Sequence, residues 1–183
     1  MQASITLKAG KERSLLRRHP WVYSNAIERV DGKIYPGATV QVLSDEGKFI
    51  AKGLYSPTSQ IRVRVLTWDE AKTIDHAFFK ERISKALAHR AQWVKNTNAI
   101  RLIFGESDGL PGLVIDRYGD AVTIQANSAG MEAATPLILE ALHALIAPRM
   151  VIARNDSAVR ALEGTNIPVA AVSTGFPAGL SPY

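Results

Sequence analysis

Before residue 75 the apolar side chains come in runs too short for helices. Residues 4–7, 39–43, 49–55 and 61–66 are rich in Val, Ile, Thr and aromatic residues and are parted by Gly, Pro, Asp and Ser. That is the pattern of short strands joined by turns. Asp45-Glu46-Gly47 lies between the second and third runs; a glycine accepts positive φ and an Asp side chain bonds nearby amides, so a hairpin is predicted there. Residues 11–18 tolerate one or two helical turns, which must stop at His19-Pro20 because the residue before a proline is pushed out of the α region. The first 70 or so residues therefore predict a small, mostly antiparallel β domain, barrel or sandwich, with one short helix.

At Asp75 the period changes. Phe79, Ile83, Leu87 and Val94 recur at three- to four-residue steps to about residue 95, which predicts a helix capped by Asp75. Its other face, with Lys80, Arg82, Lys85, His89 and Arg90, reads as a solvated surface. Strand-like runs follow at 102–104, 113–116 and 121–125, the last two joined by the turn-forming Arg117-Tyr118-Gly119-Asp120. Leu137, Ile138, Leu142, Leu145 and Ile146 mark a second helix, and Pro136 fits only its first turn. A strand at 151–153, a helical turn at 156–162 ended by Gly164, and a Gly/Pro-rich edge strand and linker at 168–183 complete the reading. The expected division is 1–74, then 75–167 beginning with a linking helix at 75–95, then 168–183.

The charge divides at the same place. Residues 1–74 hold 12 Lys and Arg against 7 Asp and Glu, the whole of the +5, while the remainder carries 10 of each sign. A basic half joined to a neutral one suits a polyanionic partner, because clustered cations displace counterions from a phosphate backbone. With 46% hydrophobic and 21% charged residues the chain should pack into a folded protein. It has no cysteine, which removes disulfides, thiolate metal sites and a cysteine nucleophile from these residues. Charges precede any long apolar run at the amino terminus, so a cytoplasmic location without a membrane partner is expected.

No constellation for chemistry stands out. In GESDGLPG, residues 105–112, the glycines fall as G-x-x-x-G-x-x-G and strand-like residues follow; neither the spacing nor the context is that of a nucleotide loop, and a turn that positions a hairpin is expected. Glu106, Asp108 and Asp116 have the oxygens for acid–base work or for Mg²⁺, but turn capping and pairing with Arg101 and Arg117 account for them better. His19, His76, His89 and His143 lack metal-ligand spacing. The basic residues are more informative. Lys8, Lys11, Arg13, Arg17, Arg18 and His19 cluster at the first helix, and strand alternation places Arg62 and Arg64 on one side, opposite Ile61, Val63 and Val65, where both should project into solvent. Arginine's planar fork suits phosphate, and Trp21 or Tyr23 can stack on an unpaired base.

The same residues carry a resemblance. KERSLLRRHPWVYSNAI followed by GLYSPTSQIRVRVL resembles the amino-terminal PUA domain of the bacterial ribosomal RNA large-subunit methyltransferase I family. RLIFGESDGLPGLVIDRYGDAVTIQ, with RNDSAVRALEG after it, resembles that family's β-β-α-β-β middle domain. The resemblance implies an α+β fold with a small PUA-type β-barrel. It further implies transfer of a methyl group from S-adenosylmethionine to carbon 5 of a cytosine in 23S ribosomal RNA, by a Rossmann-like domain that follows these two. The family's cofactor loop and cysteine nucleophile have no counterpart here, so no catalytic, cofactor-binding or metal-binding residue is expected in this chain. Its RNA surface carries over to the short helix around Arg13 to Arg18 and to the strand holding Arg62 and Arg64, the same surface to which the basic residues pointed, and the distinctive GESDGLPG segment is expected to pack against the further domain. The implied role is an RNA-binding fragment, inactive alone, that presents 23S ribosomal RNA. The alternative is a stand-alone RNA-binding or ribosome-assembly protein, and a homodimer is left open.

Overall fold

The computed structural model describes residues 3–154, 156–165 and 172–174, and it is an α+β structure on two sheets. The first sheet is formed by β1 (Ser4–Leu7), β2 (Trp21–Tyr23), β3 (Ile27–Asp31), β4 (Thr39–Leu43), β5 (Phe49–Tyr55) and β6 (Ile61–Thr67), in the order β2-β6-β5-β4-β1-β3. Every pairing is antiparallel except β1 with β4. The sheet curls around Ile5, Leu7, Val22, Val40, Val42, Val63 and Val65, joined by Leu15 of helix α1 (Arg13–Leu16). β4 shows why the sequence folds this way: Val40 and Val42 are buried while Thr39, Gln41 and Leu43 are half-exposed, the period of two that a strand with one covered face requires.

Two strands escape the sequence reading. β2 has only three residues, and β3 carries Glu28, Arg29 and Asp31, charges that an edge strand tolerates because water reaches it. α1, with four residues, makes one of the one or two turns expected. Arg18 takes φ +67°, and the His19 amide turns back to donate to the Ser14 carbonyl at 3.0 Å, which ends the helix before the proline.

The second sheet runs β11-β10-β9-β8-β7, from β7 (Ala99–Phe104), β8 (Leu113–Tyr118), β9 (Ala121–Ala126), β10 (Met150–Ala153) and β11 (Val172–Thr174). β7, β8 and β9 form an antiparallel meander. β9 and β10 are parallel, so the chain must cross between them; it does so through α3 (Ala129–Ala133) and α4 (Thr135–Ile146), with α5 (Val159–Leu162) after β10. The β-β-α-β-β succession is thus present as β8, β9, α4, β10 and β11, with β7 added at one edge and α3 and α5 interposed. Apart from β11, residues 168–183 lie outside the described residues.

Helix α2 (His76–Trp93) starts where its cap dictates: the Asp75 carboxylate accepts from the Phe78 amide at 3.0 Å. It packs against α4 and buries Phe78, Phe79, Ile83 and Ala86 in a second core with Ile115, Val122, Ile138 and Leu142. Leu54 of β5 and Leu66 of β6 belong to this core as well, so it spans both sheets and α2 is a core element rather than a simple link. Glycines let the halves approach. A Cβ on Gly130 would stand 2.4 Å from the Leu54 Cβ, and one on Gly37 would stand 2.3 Å from the Ala133 Cβ, distances that real carbon atoms do not reach. Among the described residues no helix is long and apolar enough to cross a membrane.

The basic face of α2 is not uniformly solvated. The Arg82 guanidinium lies 5.1 Å from the centre of the Phe78 ring and donates to the Leu66 carbonyl at 3.2 Å. Arg90 grips Asp108 with both terminal nitrogens, at 2.9 and 2.6 Å. Lys80, Lys85 and His89 remain exposed. Lys72 and Lys85 each bond a carboxylate oxygen of Glu81 at 2.6 Å, and with Lys72 the stronger influence they hold its pKa at about 2, below the usual 4.5. A lowered carboxylate pKa stabilises the fold above the ordinary value and loses that contribution as pH falls from 4.5 toward 2. In a carboxyl-carbon NMR titration Glu81 should therefore still be ionised at pH 3.5, and Lys72→Ala should move its midpoint back toward 4.5; a native midpoint near 4.5 would contradict the clamp.

Candidate nucleic-acid interface

Local chain geometry makes one cationic surface of the segment between β1 and β2. The Lys11 amide closes a turn onto the Lys8 carbonyl at 3.0 Å, and the Arg18 amide returns to the Leu15 carbonyl at 2.9 Å. Leu15 is 1% exposed and anchors the segment in the first core. Its carbonyl accepts from Trp68 Nε1 at 2.8 Å, and the Arg18 guanidinium lies 5.1 Å from the Trp68 ring centre. With the apolar side fixed, Lys8, Lys11, Arg13, Arg17, Arg18 and His19 are all exposed, while Glu12, the one carboxylate of the segment, is half-buried. Among the described residues none of these lysines and arginines takes part in an ion pair. A cluster of exposed cations not tied up in ion pairs is what attracts a polyanion.

Arg62 and Arg64 do not project together into solvent. Arg62 is half-buried. Arg64 is 7% exposed and is held by Glu163, with Nη1 to Oε2 at 3.0 Å and Nη2 to Oε1 at 2.8 Å. Glu163 Oε1 also accepts from Ser59 Oγ at 2.5 Å, and its backbone carbonyl accepts from Thr58 Oγ1 at 2.6 Å. Alternation did direct Arg64 away from the first core, but the second half of the chain covers that face, so its partner is a buried carboxylate and not water or phosphate.

GESDGLPG sits at the same seam. Residues 105–108 make a 3₁₀ turn, and Gly109 ends it at φ +69°. Asp108 is fixed by Arg90 and also accepts from the Phe104 amide at 2.6 Å. Glu106 reaches the first sheet, where its Oε1 accepts from Trp21 Nε1 at 2.9 Å. Gly112 has φ +88°, and a Cβ there would meet Ser128 Oγ at 2.9 Å and Arg64 Cδ at 3.5 Å. The segment's unusual composition thus serves contact with the first sheet of this same chain. Asp116 pairs with Arg101 at 2.8 and 3.0 Å, whereas Arg117 donates to the Gly119 carbonyl at 2.8 Å. Glu106, Asp108 and Asp116 bond three separate partners and do not converge on one reaction site.

Sequence reading missed how the aromatic residues are ordered. His19, Trp21 and Tyr23 form a row of edge-to-face rings, with centroids 5.3 Å apart for the first pair and 6.2 Å for the second. Their i, i+2, i+4 spacing was the available signal, since strand alternation sends such residues to one face. β2 pairs with β6 so that Trp21 stands opposite Arg64, which places the row beside the seam and immediately after the cationic segment.

Residues 5–68 match the model of a PUA-like domain. Over 98% of its length the chain is 44% identical to a protein of Cronobacter sakazakii called ribosomal RNA large subunit methyltransferase I, and over its whole length it is 42% identical to proteins of the same name from Shigella boydii and Escherichia coli. Two solved structures share its fold. A candidate SAM-dependent methyltransferase from Streptococcus mutans superposes with a TM-score of 0.73 at 18% identity, over 98% of this chain and 44% of that one. A candidate methyltransferase complexed with SAH, SMU.776, superposes with a TM-score of 0.77 at 17% identity, over 97% and 44%. The chain carries a PUA-like domain at residues 5–68 and spans about half the length, 46%, of the curated relatives it matches.

Proposed function

We propose that this chain binds ribosomal RNA and presents it to a methyl-transferring domain, as the RNA-holding part of a cytoplasmic, S-adenosylmethionine-dependent 23S rRNA cytosine-C5 methyltransferase. Residues 1–74 act as the RNA-binding unit, with Lys8, Lys11, Arg13, Arg17, Arg18 and His19 taking the phosphates and Arg62 at the margin of the surface. Arg64, first grouped with them, acts through the seam. Residues 75–167 form the unit that fixes the orientation of the first. The observation that carries this reading is the exposed, unpaired cationic segment inside the region that matches a PUA-like domain. The names of the relatives and of the fold neighbours point the same way.

The chain's glycine-rich segment leads into strand β8 and not into a helix, so it does not have the form of a phosphate-cradling loop at a helix N-terminus. In a gel-mobility assay the purified chain should retard a single-stranded 23S rRNA fragment at low salt in the micromolar range. RNA that migrates unretarded would refute the reading. Transfer of label from S-adenosylmethionine to RNA by this chain alone would refute the presenting role.

A further inference from the structure

Trp21, Tyr23 and Glu106 have chemistry that phosphate binding leaves unused, and the His19 ring extends their row toward the cations. His19 and Tyr23 are exposed and Trp21 is half-buried; among the described residues β2 lies at an end of its sheet, paired with β6 alone. Two of the three rings of the row, those of His19 and Tyr23, are therefore open to water. Glu106 is exposed and forms no ion pair among the described residues. A carboxylate offers about four lone-pair positions, of which the Trp21 indole uses one. The loop that carries it is held rigid by the Arg90–Asp108 pair. A fixed acceptor thus stands at the edge of a ring platform, a few residues of chain away from a row of cations.

We propose that His19, Trp21 and Tyr23 form a stacking site for unpaired RNA bases, and that Glu106 selects bases carrying an exocyclic amino group, cytosine above uracil. This rests on the RNA-binding reading given above. Charge assigns the two halves of a nucleotide. The cationic segment attracts the phosphates, whereas the Glu106 carboxylate repels them and turns the base toward itself. Aromatic rings stack on any base because every base has a π face. Selection then falls to the acceptor: a carboxylate accepts from the N4 amino group of cytosine, while uracil presents a carbonyl oxygen at that position.

The test measures fluorescence anisotropy of labelled oligocytidine and oligouridine of equal length with the full chain. Cytidine should bind about 5-fold tighter than uridine, the lower end of the discrimination from a good base-edge contact. Glu106→Ala should abolish that preference by weakening cytidine alone. Tyr23→Ala should weaken both oligomers about 10-fold, in line with the loss of one stacked base, and should leave the salt dependence unchanged because no phosphate contact is lost. Equal binding of the two oligomers by the native chain, or a preference that survives Glu106→Ala, overturns this proposal and leaves RNA binding intact. Failure to bind either oligomer overturns the proposed function and this site together.

Discussion

Glu163→Ala should cost about 3–5 kcal/mol of folding stability, because it strands a buried arginine rather than merely deleting a contact. Arg64 is 7% exposed and both of its terminal nitrogens are directed at the Glu163 carboxylate; its other side-chain hydrogen bond among the described residues, to the Ile61 carbonyl at 3.5 Å, is too long to compensate. Water cannot readily enter, since Ser59 and Leu54 close the neighbourhood at 4% and 5% exposure. For a domain of this size the loss corresponds to a fall in Tm of roughly 10 °C, read by thermal melting and urea titration. Replacing both partners together, Arg64→Met with Glu163→Leu, should recover most of the loss, because swapping a whole buried pair for apolar side chains is often close to neutral. A loss below about 1 kcal/mol for Glu163→Ala would be the value of a solvated pair and would mean that the seam is open to water.

How far the sequence disclosed the structure depends on how local the determining forces are. Asp75 and the 3.6-residue period announced α2, and the alternation of Val40 and Val42 announced β4, because both signals lie within one element. β2 and β3 were hidden because an edge strand need not show an apolar face. Arg64 was misread for a different reason. Its direction follows from alternation, but what it meets is Glu163, 99 residues further along the chain, and no local pattern encodes that distance. Glu106 was correctly read as having a structural partner, yet the partner is an indole across the seam, not an arginine nearby. The cationic segment was legible in full because one short stretch of chain supplies all of it, whereas the aromatic row needed the strand beneath it to be recognised first.

The segment from Lys8 to His19 is proposed as the contact surface for an RNA backbone. Each phosphate neutralised on a single strand adds roughly −0.7 to the slope of log affinity against log salt. Three exposed arginines, Arg13, Arg17 and Arg18, should then supply about −2 of that slope. Changing all three to Ala should also weaken binding about 100-fold at low salt, taking each charged contact as worth on the order of 1 kcal/mol. The fold should survive, since Leu15 anchors the segment and the side chains removed lie outside both cores; circular dichroism would verify it. The decisive measurement is the salt dependence of RNA binding by the native chain and by this triple variant, titrated side by side. A variant slope shallower by about 2 supports the claim, and identical slopes would contradict it, because the phosphates would then be held by some other surface.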